Sequence, residues 1–317
     1  MHKYTGDRDT VFVLSGGAGR IVAAIPALEK YARLNPEDDF KVLIHGWDFL
    51  LYGNPELQDR VYNADQKGMF ELVIKGRNMV TPEPYHKWSY YNQKASLAEA
   101  FDEEINATTD HSDLSSPKIY LAEEEIRKAK ELIEEIKTKF KKDKIVVMQP
   151  FGQGAQVDEK GNFSDTTGRS LTQEAYVKLI ENLPEKFGCI YFGPQPLMSK
   201  SDKISVNLGD QHMRLWAALI NEADYFVGID SLGQHLARAF DKPATVIMGP
   251  TFEKNVSYPD YEKFKFFRNE KVKAKYSPIR IGGVDSMIAD MANASALRLD
   301  DQQIKNLASS IKTEVLG

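Results

Sequence analysis

The sequence contains a single cysteine, Cys189, and no apolar run long enough to span a bilayer. One cysteine excludes an internal disulfide and any zinc site built from cysteines. The first ten residues, MHKYTGDRDT, are polar and lack the apolar core of a signal peptide. We therefore expect a reducing, cytoplasmic setting and no transmembrane segment.

Positive charge is not in excess either. The 317 residues include 41 Lys and Arg against 46 Asp and Glu, a formal net charge of −5 at pH 7. Such a chain as a whole is not built to bind nucleic acid, which leaves only a local basic patch for that purpose. The hydrophobic share of 42% and the charged share of 27% are those of an ordinary globular protein, and the length suits two domains.

Strand-like and helix-like patterns alternate along the chain, which predicts parallel sheets with helices on both faces. In the first half, strands are expected at VFVL and FKVLIHG, with weaker candidates at RVYNA and FELVI. In the same half, helices are expected after VFVL, at YYNQKASLAEAFDEEI and at Ala122–Phe140.

The second half continues the alternation. Its expected strands are KIVVMQP, CIYFG, YFVGI and ATVIMG. Its expected helices are SLTQEAYVKLIENL, MRLWAALINEA, SLGQHLARAF and a last helix from Asp300 to about Thr313. The first of these helices is predicted to open with a capping box formed by Ser170 and Gln173.

A lysine-rich stretch, Lys137–Lys144, is the natural boundary between the halves. We predict an N-terminal Rossmann-like domain over residues 1–142 and a C-terminal one over residues 143–298. The final helix, residues 299–317, is predicted to pack back on the N-terminal domain. Ligands of open α/β sheets bind at the carboxyl ends of the strands, so we expect a cleft between two such ends.

Three glycines, Gly16, Gly17 and Gly19, separate the first strand from the first helix. They allow a tight turn and a close approach of the backbone to a ligand, and the N–H groups of the next helix favour an anion. The turn matches neither GxGxxG nor a P-loop. By itself it fits a simple strand-to-helix connection equally well.

A second polar turn lies within Tyr225–Thr251. Asp230 and Ser231 follow a strand, the turn continues through Gly233 and Gln234, and His235 falls in the first helical turn. A nucleoside diphosphate suits such a helix N-terminus. Alternatively, Asp230 or Ser231 caps the helix and His235 is a core residue.

Taken together, these stretches resemble the heptosyltransferase-like glycosyltransferases of family 9, which have the two-domain GT-B fold. The early part of the likeness is Gly19 followed by IPAL, and the late segment Asp285–Met291 resembles another family stretch, with Ser286 in place of a cysteine. The more specific part consists of Asp230, Ser231, Gly233, His235, Leu236, Ala237, Ala239, Pro243, Gly249, Pro250 and Thr251.

The resemblance implies a nucleotide-sugar donor held mainly by the C-terminal domain, and no other cofactor. The implied donor-binding residues are Arg169, Asp230, Ser231, Gly233, Gln234, His235 and Thr251. Arg169 matches a basic residue near the leaving phosphates, where a cation offsets developing charge. We expect direct, metal-independent displacement at the anomeric carbon.

Arg20 departs from this resemblance, because the family has an aspartate there that is thought to deprotonate the acceptor. Arginine cannot act as a base, since its pKa stays above ~12. We expect Arg20 to grip an anionic group. Asp48 and His45, which follow the second strand, are candidate bases, although a cap and a loop residue explain them as well. His86 is a further candidate within an aromatic stretch that could form an acceptor platform.

The acceptor is the least defined partner. The family's default is a glycan or lipopolysaccharide, but Arg20 and the segment Tyr90–Lys94 resemble phage-encoded members, which would make a modified DNA base the acceptor. The basic, aromatic segment Glu262–Arg280 suits nucleic acid or an amphipathic strand.

Two other functions are alternatives to a glycosyltransferase: a catalytically silent sugar-nucleotide or glycan binder, and a GT-B epimerase. The sugar and the oligomeric state stay open.

Overall fold

The structure, a computed structural model, describes residues 9–157, 163–165, 167–193, 205–209, 211–271, 280–281, 284–285 and 297–317. It contains two compact units. The first runs to Leu121 and includes residues 280–281 and 284–285, and the second begins at Ala122. This boundary precedes the predicted one at residue 142, because the charged helix Glu123–Phe140 packs on the helix Met213–Glu222 of the second unit.

The first unit is built on a sheet of four parallel strands in the order β3-β2-β1-β4. β1 is a central strand with a neighbour on each side, and it is buried along almost its whole length. All four strands point the same way, which places their carboxyl ends at one edge. The strands are β1 (Thr10–Leu14), β2 (Lys41–Ile44), β3 (Val61–Asn63) and β4 (Asn78–Val80).

Helices of this unit follow the strand ends. The longest begins right after the glycine turn, and its Ile21, Ile25 and Leu28 are fully buried at helical spacing. The helices are α1 (Ala18–Leu34), α2 (Trp88–Tyr91) and α3 (Leu97–Ile105), with short 3₁₀ turns at Asp48–Leu51 and Pro84–His86.

Two predictions in this unit need correction. FELVI is a π-helical turn, Phe70–Ile74, and not a strand, because glycines with positive φ on both sides let the chain curl and bury only Val73. The predicted helix at YYNQKASLAEAFDEEI is two helices. Ser96 accepts the N–H of Glu99 in a capping box and starts α3 afresh. The weak strand at RVYNA is confirmed as β3.

The second unit contains a six-stranded parallel sheet in the order β12-β11-β10-β5-β8-β9. The strands β10 and β11 are buried along every residue, as expected when helices cover both faces. The strands of the unit are β5 (Lys144–Gln149), β6 (Ala155–Val157), β7 (Phe163–Asp165), β8 (Phe187–Tyr191), β9 (Ser205–Asn207), β10 (Tyr225–Ile229), β11 (Ala244–Met248) and β12 (Phe264–Arg268).

The short β6 and β7 form a separate antiparallel pair, and β13 (Arg280–Ile281) and β14 (Val284–Asp285) form another. The strand interpretation of the basic segment is confirmed at Phe264–Arg268, where Phe264 is buried and Lys265 exposed. Residues 272–279 of that segment and residues 286–291 of the late family-like stretch lie outside the described residues.

The second unit also holds the final helix. Its Ile304, Leu307 and Ile311 are buried in the core of this unit, where they pack beside α5. We therefore assign the helix to the second unit, contrary to the predicted packing on the N-terminal half. The helices are α4 (Glu123–Phe140), α5 (Gln173–Asn182), α6 (Met213–Glu222), α7 (Leu232–Ala239), α8 (Glu253–Val256) and α9 (Asp301–Leu316).

Within the described ranges, no helix combines the length and the apolar character required to cross a membrane.

Candidate functional site

Asp230 lies at the carboxyl end of β10, between the ends of β5 and β11, and is almost completely buried. Its Oδ1 accepts a hydrogen bond from Gln234 Nε2 at 2.9 Å, and its Oδ2 accepts one from Thr251 Oγ1 at 2.9 Å. Arg169 Nη1 lies 3.8 Å from Oδ2 and donates to the Asp230 carbonyl at 3.3 Å. Three residues that the sequence singled out therefore meet around the carboxylate of a fourth, Asp230.

The charge of this cluster is unevenly buried. Burial raises the pKa of the Asp230 carboxyl, and Arg169, Thr251 and Gln234 oppose that rise. Asp230 has about 5% of its side chain exposed, whereas Arg169 has 27% exposed. Arg169 thus has a larger exposed fraction of its side chain than the carboxylate with which it is paired.

The amide of Gln234 is directed into the protein. Its Nε2 also donates to the carbonyl of Val256 at 2.9 Å, and its Oε1 accepts from the hydroxyl of Ser257. The side chain is fully buried. Gln234 therefore positions Asp230 and the end of α8, while its predicted contact with a donor stays a prediction.

The first turn of α7 is capped by a residue that the sequence did not indicate. Gln149, the last residue of β5, accepts the backbone N–H of Gly233 with its Oε1 at 2.8 Å and donates from Nε2 to Ser231 Oγ at 3.2 Å. A side chain at Gly233 would meet the ring of Phe226 at 2.3 Å. Close packing is therefore one reason for glycine at this position.

His235 is a core residue, as in the second of its two predicted positions. It is buried, its Nδ1 lies 2.8 Å from the hydroxyl of Tyr258, and burial lowers its pKa to about 4. A neutral imidazole bonded to a tyrosine supports the packing of α7. Its predicted place close to a diphosphate stays a prediction.

The Gly-Pro-Thr turn after β11 is held by Arg268 of β12. This arginine donates to the carbonyl of Gly249 at 2.7 Å and to that of Thr251 at 2.9 Å. A Cβ at Gly249 would lie 2.8 Å from the carbonyl oxygen of Gly168. Glycine thus lets the loop that carries Arg169 approach the turn that carries Thr251.

The loop before α5 is anchored differently from the prediction. Ser170 accepts the N–H of Gly152 at 2.9 Å and donates to Asp165, so it does not form a capping box with Gln173. Thr172 caps α5 by accepting the N–H of Ala175 at 3.1 Å. Because Asp165 and Ser170 tie the loop to the end of β5, Arg169 has a defined backbone position.

The first unit presents the glycine turn at the carboxyl end of β1. Gly16 has a φ of 103°, which favours glycine, and its carbonyl accepts from Trp47 Nε1 at 3.1 Å. A Cβ at Gly17 would meet nothing within 4 Å. Gly17 precedes α1, and Gly19 lies in its first turn. Open space beside the first helical N–H groups is compatible with a ligand there.

Arg20 donates hydrogen bonds to other residues of the first unit. Its Nη2 donates to the carbonyl of Pro82 at 2.9 Å and to Glu83 Oε1 at 3.2 Å, while Nη1 donates to the carbonyl of Ser15. The guanidinium also lies 5.2 Å from the centre of the Tyr85 ring. Arg20 therefore ties the glycine turn to the segment after β4, and a grip on a ligand anion is not needed to explain it.

The two predicted bases differ in their surroundings. Asp48 is buried, and it accepts from Tyr52 Oη at 2.6 Å with one oxygen and from Asn63 Nδ2 at 3.0 Å with the other. His45 is half exposed, and its Nδ1 lies 3.1 Å from Asp65 Oδ1. Asp48 thus fastens its own loop, while His45 keeps access to solvent. His86 is exposed at the end of its 3₁₀ turn.

Four chemistry-bearing residues went unrecognised in the sequence: Asp65, Glu83, Gln149 and Arg268. Asp65 follows the predicted strand RVYNA, so a search for polar residues just after strands would have found it. Glu83 follows β4, a strand that the sequence patterns did not predict. Gln149 and Arg268 are themselves the last residues of strands, and nothing in their local sequence indicates which turn they hold.

The fold is that of known sugar transferases. A family 9 glycosyl transferase from Veillonella parvula superposes with a TM-score of 0.67 and 14% identity, over 98% of this chain and 97% of that chain. The E. coli ADP-heptose lipopolysaccharide heptosyltransferase II has a TM-score of 0.62 and 12% identity, over 97% and 98% of the two chains. The predicted α/β fold class, with parallel sheets of the GT-B type, is confirmed.

A third similar structure is the iron-containing dodecameric glycosyltransferase TibC of enterotoxigenic E. coli, with a TM-score of 0.61 and 11% identity over 98% of this chain and 77% of that chain. In the described part of this chain, no three His, Cys, Asp or Glu side chains are grouped as metal ligands. No protein-family model and no curated protein matches this sequence.

Proposed function

We propose that this chain is a glycosyltransferase that moves a sugar from a nucleoside-diphosphate donor to an acceptor hydroxyl. One observation carries the proposal: Arg169, Asp230 and Thr251 meet at the amino end of α7, at the carboxyl edge of a parallel sheet. The fold, which is shared with family 9 enzymes, supports it. A similar enzyme is named for an ADP-heptose donor.

The electrostatics suit a diphosphate leaving group. A helix N-terminus has a partial positive charge and directs N–H groups outward. Arg169 adds a full positive charge with more than a quarter of its side chain exposed. Charge builds up on the departing phosphate as the bond to the sugar breaks, and a fixed cation stabilises it. Asp230 in turn holds Arg169 and Thr251 in place.

Within this proposal the residues have separate roles. Arg169 binds the phosphates, Ser231 and Gly233 line the first turn of α7, and Asp230, Gln234 and Thr251 hold the geometry. Gln149 already accepts the Gly233 N–H, so a phosphate oxygen binds beside Gln149 or replaces its amide. The reaction is direct displacement at the anomeric carbon, without a metal ion.

A hydroxyl of a glycan or lipopolysaccharide is the acceptor that we propose. The alternative acceptor, a modified DNA base, loses part of its support because Phe264–Arg268 of the basic segment is a strand of the sheet. Modified DNA is therefore included among the acceptors in the assay. A protein that binds donors without turnover is the competing outcome, motivated by Arg20 at the family's aspartate position.

The test begins with binding. Isothermal titration with ADP, UDP, GDP and CDP identifies the nucleotide, and the corresponding sugar nucleotides are then assayed for release of nucleoside diphosphate. Acceptors are water alone, lipopolysaccharide fragments and DNA with hydroxymethylated bases. We expect binding of one diphosphate and its release from the matching donor. Binding without release under every condition would contradict the enzyme and support the silent binder.

A variant pair localises the donor. Arg169→Gln should weaken binding of the diphosphate at least tenfold, or about 1.4 kcal/mol, and leave binding of the uncharged nucleoside unchanged. Lys178→Gln is the matched control, because Lys178 is a cation of the same unit paired with Asp301 on α9. Equal affinities in the two variants would place the phosphates elsewhere.

A further inference from the structure

We propose that Glu83 accepts the proton of the acceptor hydroxyl during sugar transfer, and that Arg20 positions it. This inference rests on the proposed function and names the group that completes its chemistry. The observation behind it is the ion pair of Arg20 Nη2 and Glu83 Oε1, 3.2 Å apart.

The sheet places Glu83 at the glycine turn. Strands β1 and β4 are parallel neighbours, with Phe12 opposite Val80. Ser15–Gly17 follow β1, and Thr81–Glu83 follow β4. Both segments therefore leave the sheet at the same edge. Arg20 bonds to both segments, through the carbonyls of Ser15 and Pro82. Glu83 is therefore fixed beside the turn where the sequence predicts a ligand.

Arg20 and Glu83 are unequally exposed, which suits a positioning residue and a reacting one. The Arg20 side chain is 4% exposed, and the Glu83 side chain is 18% exposed. Arg20 packs against Tyr85 and Phe101, whose ring centres lie 5.2 and 5.3 Å from its guanidinium carbon. Its orientation is thus set by packing. It holds one carboxylate oxygen while the carboxylate retains contact with solvent.

The other candidate bases are placed less well. Both oxygens of Asp48 accept hydrogen bonds from neighbouring side chains, and the residue is buried. His45 and its partner Asp65 are at least half exposed, where water surrounds them and their orientation is weakly defined. A general base must be held in one geometry to act on a bound hydroxyl. Of these groups, Glu83 combines a fixed position with partial access.

The step balances without a further reactant. The acceptor oxygen attacks the anomeric carbon of the donor and forms a new C–O bond. The bond from that carbon to the phosphate oxygen breaks, and its electron pair leaves with the nucleoside diphosphate. The hydroxyl proton passes to the Glu83 carboxylate and from there to water. Arg20 keeps its proton throughout, since it only orients the carboxylate.

The experiment compares Glu83→Gln, Glu83→Ala and Glu71→Gln in the full chain, with the donor identified by nucleotide release. Glu83→Gln preserves an oxygen for Arg20, so the fold and the donor affinity should be unchanged while kcat falls at least 100-fold. Glu83→Ala should show the same loss and regain activity with added formate, a small carboxylate that fits the space. Glu71→Gln removes an exposed carboxylate paired with Lys75 and should leave kcat unchanged.

The outcomes separate this inference from the proposed function. A wild-type chain that releases no nucleotide from any donor would overturn both. Turnover that is unaffected in Glu83→Gln, with donor affinity intact, would overturn the role of Glu83 alone. In that case a loss of kcat in His45→Gln would assign the base to the pair of His45 and Asp65. A loss in Glu83→Ala without formate rescue, together with a fully active Glu83→Gln, would reduce Glu83 to a structural partner of Arg20.

Discussion

Gln149 Oε1 lies 2.8 Å from the backbone nitrogen of Gly233 and accepts its N–H. The amide of one strand thus caps a helix that starts after another strand, β10, which pairs with β5. This relationship links the sheet to the amino end of α7, where we propose that a diphosphate binds.

Replacement of Gln149 by leucine should lower the free energy of unfolding by about 1–3 kcal/mol, because the buried N–H of Gly233 loses its acceptor. Urea unfolding measures the change. Gln58→Leu, at an exposed turn position, is the control and should change the stability by less than about 0.5 kcal/mol. An equal effect in both variants would mean that the Gln149 amide contributes nothing to the cap.

Asp230→Asn should change how stability depends on pH. Burial raises the pKa of this carboxyl in the folded state, so the unfolded chain releases the proton at lower pH than the folded one. The wild type therefore loses stability as pH rises from the unfolded-state value toward the folded one, by about 1.4 kcal/mol for each unit of the rise. The asparagine variant lacks this loss.

The check is urea unfolding of both proteins from pH 4 to pH 8. The stability of Asp230→Asn relative to the wild type should increase with pH and then level off. Parallel stability curves would show that Arg169, Thr251 and Gln234 fully compensate the burial of the charge.

His235→Gln should remove a loss of stability at acid pH. Burial lowers the pKa of His235 to about 4, against an ordinary value of 6.5. The unfolded chain then binds the proton first as pH falls, so the wild type loses up to about 3 kcal/mol between pH 6.5 and pH 4. Glutamine can still accept from Tyr258. Thermal unfolding across this range measures the slope, and an unchanged slope in His235→Gln would contradict the assignment.

Arg20 and Glu83 should show strong coupling in a double-mutant cycle. Arg20→Met alone should cost about 3 kcal/mol of unfolding free energy, since it leaves the carbonyls of Ser15 and Pro82 and the Glu83 carboxylate without their donor. Adding Glu83→Gln should recover about 1–3 kcal/mol. The surface pair Arg127 and Glu124 is the control and should couple far more weakly. Additive effects at positions 20 and 83 would show that the ion pair contributes nothing to the free energy of unfolding.

Regular patterns in the sequence were sufficient to predict most strands and helices of the fold. The helix around Leu307 has apolar residues at helical spacing, and the strand around Val227 is a short apolar run within an alternation of strands and helices. Both are where the patterns predicted them. Short apolar runs were less decisive. FELVI has strand-like composition, but flanking glycines with positive φ make a π-helical turn the conformation that buries Val73.

Only part of the candidate site could be predicted from the sequence. Asp230 and Thr251 were recognised because each follows a strand within one motif, and the structure joins them by a 2.9 Å hydrogen bond. The capping box at Ser170 was wrong, because Asp165 competes for that hydroxyl. Glu83 was overlooked since its partner, Arg20, is distant in sequence.

The sequence alone determined the alternation of parallel strands and helices and the two polar turns, because hydrophobic periodicity and turn residues act over a few neighbouring positions. Only the tertiary structure decided what those turns contact. Arg20 with Glu83, Gln149 with Gly233 and Arg268 with Thr251 are pairs that parallel strand packing brings together, and local sequence has no record of contacts across a sheet.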